Sequence, residues 1–138
     1  MARIFKASPL NHMQLRLYDS EYVGLTAAGW NIVLEGINTS AHPYVPDATE
    51  PETSSFVCNE FADLFRSRCE EYFDCNGAGR VIDIPGKHSY SAILIWEAGK
   101  TADTTNAAIA LVEPQTDQLV TIDPAKHYTG ESGLVVFG

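Results

Sequence analysis

The chain has 138 residues, 45% of them hydrophobic and 20% charged, which suits one globular domain that buries about two-thirds of its unfolded surface and needs no metal or disulfide to fold. Nine Lys and Arg stand against 18 Asp and Glu, and the resulting charge of −9 repels phosphate backbones and anionic lipid, so neither nucleic acid nor a membrane surface is an expected partner. No apolar run approaches the ~18 residues of a membrane span, no signal-peptide stretch opens the chain, and the three cysteines (Cys58, Cys69, Cys75) form no CxxC pair, so reduced thiols and a cytoplasmic setting are expected.

In chain order, residues 3–6 and 15–18 read as short strands, and Gly29-Trp30-Asn31 reads as a turn into a strand at 32–34. Residues 35–55 hold Gly36, Pro43, Pro46 and Pro51 among many polar residues. They read as a long loop, either a connector or one wall of a cleft, with Trp30 near enough to line it. The strongest helix spans 55–74. Cys58, Phe61, Ala62, Phe65, Cys69, Tyr72 and Phe73 recur at spacings of three and four and form one apolar stripe, while Asn59, Glu60, Asp63, Arg66, Ser67 and Glu70 face away. Thr53, Ser54 and Ser55 offer N-caps, and Asn76-Gly77 with Gly79 ends the helix. Strands follow at 80–84, 88–96, 107–113, 118–122 and 134–137, separated by Pro85-Gly86, a polar loop at 97–106 and a turn at Thr116-Asp117. A helix followed by an antiparallel meander is an α+β pattern, with the helix packed on the sheet. One domain is expected over 1–138: a variable part and cleft loop, 1–55, then a core, 56–138.

Two residues in this plan carry chemistry. Cys58 falls in the first turn of the helix, where unpaired N–H groups and the helix dipole favour thiolate, the nucleophilic form. Cys69 lies deeper on the same stripe, where a thiol is a small hydrophobe, and Cys75 lies at the frayed helix end with no base beside it. His88 opens a strand directly after Pro-Gly-Lys, which leaves its ring at the end of the sheet. If strands 88–96 and 107–113 form a hairpin centred near 100–101, Tyr90 faces Leu111, Ala92 faces Ile109, Leu94 faces Ala107, and His88 faces Glu113. Cross-strand Cβ atoms lie about 5 Å apart, close enough for a carboxylate to hold an imidazole N–H. Gln115 lies two residues on and is the other group able to orient the ring.

Cysteine at a helix start, histidine opening a strand and an acid on the next strand, in that order, is the papain-like order. The stretches FVCNEFADLF (56–65), KHSYSAILIW (87–96) and ALVEPQTDQLV (110–120) resemble the C-terminal domain of the Marasmius oreades agglutinin family, a calcium-dependent papain-like cysteine protease domain. The resemblance covers roughly the last 80 residues. It implies Cys58 as nucleophile, His88 as base, Glu113 as orienting acid and Gln115 as the amide of a Glu-x-Gln pattern. It also implies a peptide or protein substrate and a possible calcium requirement, although the chemistry itself requires no cofactor. Asp47, Glu50, Glu52, Asp63, Asp103 and Asp117 could supply oxygen ligands, but no EF-hand spacing occurs. The chain departs from the papain pattern in lacking a glutamine a few residues before the cysteine. The backbone N–H of Cys58 with Gln115, Trp30 or Asn59 is left as the source of oxyanion donors.

The expected function is a papain-like cysteine hydrolase, peptidase or amidase, with acyl transfer to an amine not separable from hydrolysis. A catalytically inactive papain-like module that binds a protein or peptide, such as a viral or mobile-element accessory protein, is the alternative. A metal site built on Cys58, His88 and a carboxylate ranks last, because it lacks a tight ligand pattern.

Overall fold

The computed structural model describes residues 1–41, 54–98 and 106–138, with the backbone alone at 54–57. Its elements are α1 (Ala2–Lys6), β1 (Gln14–Leu17), β2 (Leu25–Thr26), α2 (Ala27–Gly36), α3 (Ser54–Phe73), β3 (Ala78–Asp83), β4 (His88–Trp96), β5 (Ala107–Glu113), β6 (Gln118–Val120) and β7 (Gly133–Phe137). Short 3-10 turns occupy Thr39–Ala41 and Pro124–Lys126.

The strands lie in the order β1-β7-β3-β4-β5-β6. β3, β4, β5 and β6 pair antiparallel with one another, as do β3 and β7. The parallel pairs are β1 with β7, and β2 with β4 at Ile95 and Trp96, beyond the end of β3. The sheet is therefore mixed and mostly antiparallel, not a pure meander.

Both faces of the sheet are covered, and strand alternation divides the core in two. Val81, Tyr90, Ala92, Leu94, Ile109, Leu111, Val135 and Phe137 pack with Ile4, Phe5, Leu10 and Met13 of the N-terminal segment. Ala78, Ile93 and Val112 pack with Trp30, Val33 and Ile37 of the α2 region and with Phe65, Cys69 and Cys75. A strand buried on both faces has no polar side, which explains the apolar run at residues 92–96 in β4. Removing one anchor of this core, as in Phe65→Ala, should cost about 3–5 kcal/mol.

Two segments read as strands are helices. Residues 3–6 belong to α1, which buries the adjacent Ile4 and Phe5. Residues 29–34 belong to α2, whose Thr26 hydroxyl caps the helix by accepting from Gly29 N at 3.2 Å. Trp30, Val33 and Ile37 form its buried stripe, and that period overrides the strand propensity of Ile32 and Val33.

The long helix stands as read, within a residue at each end, and buries Phe61, Ala62, Phe65 and Cys69. Tyr72 departs from the expected stripe and is 60% exposed. The helix ends earlier than Asn76-Gly77, where Asp74 takes a left-handed φ of 51°, and Gly79 lies inside β3. The proline-rich part of the expected cleft loop lies outside the described residues, and residues 35–36 belong to α2.

The β4–β5 register is displaced by two residues from the expected one, with Ala92 opposite Leu111, Leu94 opposite Ile109 and Trp96 opposite Ala107. A shift of two keeps every side chain on its face. Among the described residues no helix is long and apolar enough to cross a membrane.

Candidate active site

The site forms where one end of α3 meets the ends of β4 and β5. Cys58 is the fifth residue of α3, one turn in from the start. Its N–H is therefore not one of the four that lack an intrahelical partner, and it lies past the turn where the helix dipole is strongest. That corrects the expectation of an open first turn: the positive charge beside the sulfur must come from a side chain.

His88 supplies it. Its Nδ1 lies 3.0 Å from Cys58 Sγ, and its Nε2 lies 2.6 Å from Glu113 Oε1. The imidazole thus bridges sulfur and carboxylate through its two opposite nitrogens. Burial works against the imidazolium, but the bonds to Cys58 and Glu113 outweigh it and raise the His88 pKa from 6.5 to about 9. The pair is well enclosed: Cys58 is 8% exposed, and the His88 and Glu113 side chains are 12% and 10% exposed.

Glu113 reaches His88 although the two are not directly opposite. With Ser91 opposite Val112, position 113 lies one diagonal step from 88 on the same face. Glu113 also accepts from Tyr128 OH at 2.9 Å and from Gln115 N at 3.2 Å. Gln115 does not orient the imidazole. Its side-chain amide donates to Cys58 Sγ at 3.3 Å, so an N–H donor sits beside the nucleophile. Asn59 follows Cys58 on α3 and accepts from the Ser89 hydroxyl, which ties the helix to the residue after His88.

Trp30 is not a cleft residue. It is completely buried, and its Nε1 donates to Leu94 O at 2.8 Å, so it has no surface to offer a substrate and no free N–H to offer an oxyanion. Cys69 and Cys75 lie in the α3-side core, and no disulfide joins the three cysteines. Burial pushes the Cys69 thiol far up. Cys75, expected at a frayed end, is buried too; its thiol is also raised by burial and donates to Val23 O at 3.1 Å.

Sequence reasoning missed Asp83 and Tyr128. Asp83 is 1% exposed and accepts from Gly86 N at 3.0 Å, Tyr90 OH at 2.7 Å, Thr129 N at 2.8 Å, Thr129 Oγ1 at 2.6 Å and Gly130 N at 3.1 Å. Burial opposes its charge, but these donors together hold its pKa below the ordinary 3.8. An Asp three residues before Gly86 in a Pro-Gly turn was the available signal. Nothing local marks Tyr128.

Among the described residues no group of three or more His, Cys, Asp and Glu stands close enough to hold a metal ion. Of the acids considered as calcium ligands, Asp63 binds Arg80 at 3.1 Å and Asp117 accepts from Ser40 N at 2.9 Å, while Asp47, Glu50, Glu52 and Asp103 lie outside the described residues.

No protein-family model and no curated protein matches the chain. Solved structures do. The chain is similar to Polyporus squamosus lectin bound to the human-type influenza-binding epitope Neu5Aca2-6Galb1-4GlcNAc, at 18% identity and a TM-score of 0.61, over 99% of this chain and 46% of that one. It is also similar to the PSL1a–E64 complex, at 17% identity and a TM-score of 0.57, over 91% of this chain and 43% of that one. The chain therefore spans less than half the length of either structure. At these identities the likeness establishes the fold alone: α+β, with a central helix packed on a mixed, mostly antiparallel sheet.

Proposed function

We propose that the chain is a papain-like cysteine hydrolase acting on an amide or peptide bond. The observation that carries this function is the imidazole bridge, with His88 Nδ1 3.0 Å from Cys58 Sγ and Nε2 2.6 Å from Glu113 Oε1. A structural histidine can be satisfied by any hydrogen-bond partners. This one has a nucleophile on one nitrogen and a carboxylate on the other, which is the arrangement nucleophilic catalysis requires. The shared fold of a structure solved with the peptide-like inhibitor E64 supports the same assignment.

In the proposed reaction His88 Nδ1 holds the proton that leaves Cys58 Sγ. The thiolate attacks the substrate carbonyl carbon, an S–C bond forms, and the carbonyl π electrons move to oxygen. Gln115 Nε2–H is the donor placed to bind that oxyanion. The C–N bond then breaks, and the amine leaves with the proton from His88. Water, giving its proton to His88, attacks the thioester, and the S–C bond breaks to release the acid and restore Cys58. Glu113 accepts the Nε2–H throughout, fixing the tautomer and ring orientation. An amine in place of water would give acyl transfer by the same steps.

One observation favours the alternative of an inactive peptide-binding module: Cys58 is only 8% exposed. Treating the protein with E64 and with a mixed peptide library separates the two. A covalent adduct on Cys58 together with amide cleavage supports the hydrolase. A peptide held without adduct or cleavage would support the binding module instead.

A further inference from the structure

We infer that Tyr128 is a fifth member of the site, a positioning residue that fixes the Glu113 carboxylate behind His88, and that Asp83 fixes Tyr128 in turn. This inference rests on the proposed hydrolase function and adds residues that function does not itself require.

Glu113 is buried, and a buried carboxylate needs each oxygen satisfied. Oε2 accepts from Gln115 N, and Oε1 is shared by His88 Nε2 and Tyr128 OH. Among the described residues, the Tyr128 hydroxyl is therefore the side-chain donor to this carboxylate besides His88. Without it, the carboxylate keeps His88 Nε2 and one backbone contact of 3.2 Å, and gains freedom to rotate away from Nε2. Burial and the Glu113 bond push the Tyr128 pKa far above its usual range, so it remains a neutral donor at every working pH. Its ring stacks edge-on against Tyr90, with centroids 5.0 Å apart, and lies 5.4 Å from the His88 ring.

The backbone around Tyr128 is tied on both sides. Before it, Asp123 and Tyr128 exchange backbone bonds of 2.8 and 3.1 Å across a tight turn that closes on His127, with a left-handed φ of 72°. After it, Thr129 and Gly130 give three hydrogen bonds to Asp83. Asp83 is also the register partner of His88 and accepts from Gly86 in the turn between them. A Cβ at Gly86 would lie 2.3 Å from His127 O, so the turn that presents His88 is packed directly on the segment that presents Tyr128. One buried carboxylate thus sets the distance between the two segments on which His88 and Tyr128 sit. The titratable groups around His88 are Cys58, Glu113, Tyr90 and Tyr128, with Asp83 behind Tyr90.

Tyr128→Phe keeps the ring and removes only the donor. Two readouts are needed: the rate of E64 labelling at Cys58, and the downfield proton resonance of His88 Nε2–H, assigned by its absence from His88→Ala. The expected result is an about tenfold slower labelling rate, with the resonance shifted upfield or lost to exchange with water. A merely structural role would lower the melting temperature and leave the resonance in place. Thr129→Val, which removes one bond to Asp83, should change both readouts in the same direction by a smaller factor, and it carries the test if Tyr128→Phe does not fold. If the unaltered protein labels at Cys58 and the variants leave rate and resonance unchanged, this inference falls and the hydrolase function stands. If the unaltered protein does not label, the hydrolase function fails and the inference falls with it.

Discussion

Cys58 and Cys69 lie on one stripe of one helix, about three turns apart, and their surroundings are opposite. Cys69 packs among Trp30, Phe65 and Ile93, where burial pushes its thiol far up and leaves it a small hydrophobe. Cys58 meets a histidine nitrogen at 3.0 Å and an amide donor at 3.3 Å. The helix gives the two thiols nearly the same backbone. The difference lies in the ends of β4 and β5, where His88 and Gln115 reach Cys58, whereas Ile93 and Val112 of the same strands share an apolar core with Cys69. Under the proposed function, reactivity belongs to the strand ends and not to the cysteine.

Four substitutions break or sharpen that contrast. Cys58→Ala should lower amide hydrolysis by at least about a thousandfold, measured as initial rate on a cleaved peptide. His88→Ala should lower it about a hundred- to ten-thousandfold, and labelling of Cys58 near pH 6 should disappear with the imidazolium. The same variant tests pH dependence of folding. A histidine raised from 6.5 to about 9 adds stability that is complete below pH 6.5 and is lost as pH rises through 9. Denaturant melts should therefore show the gap between the unaltered protein and His88→Ala closing across that window. Gln115→Ala should slow hydrolysis about ten- to a hundredfold with folding intact, since it removes one oxyanion donor. Cys69→Ala should cost about 1–2 kcal/mol of stability in the same melts and leave the labelling rate of Cys58 unchanged. A fall in that rate on Cys69→Ala would show that the two ends of the stripe are not independent.

Much of this arrangement was legible in the sequence, and the misses have physical causes. The apolar period of three and four over twenty residues located α3, and the runs HSYSAILIW and AAIALVE located β4 and β5. The expected register was wrong by two residues because a long polar loop does not count its own residues into the hairpin. His88 and Glu113 are therefore not opposite as expected, but their side chains still meet because an even shift preserves faces. α1 is too short to show a period, and in α2 the β-branched Ile32-Val33 outweighed the Thr26 cap and the spacing of Trp30, Val33 and Ile37. Tyr128 could not be found, because it reaches Glu113 through a fold-back held by Asp83, and that contact has no local pattern.

The most direct test of the contrast is a short iodoacetamide pulse at a series of pH values, with all three cysteines read by mass spectrometry. An ordinary thiol of pKa about 8.5 is almost wholly protonated at pH 6, whereas His88 is still an imidazolium there. Cys58 should therefore be modified at pH 6, while Cys69 and Cys75, sealed in the core with thiols raised by burial and no histidine beside them, should resist up to pH 8. Equal modification of Cys58 and Cys75 across that range would contradict the account, because it would mean that the histidine beside the sulfur confers no reactivity.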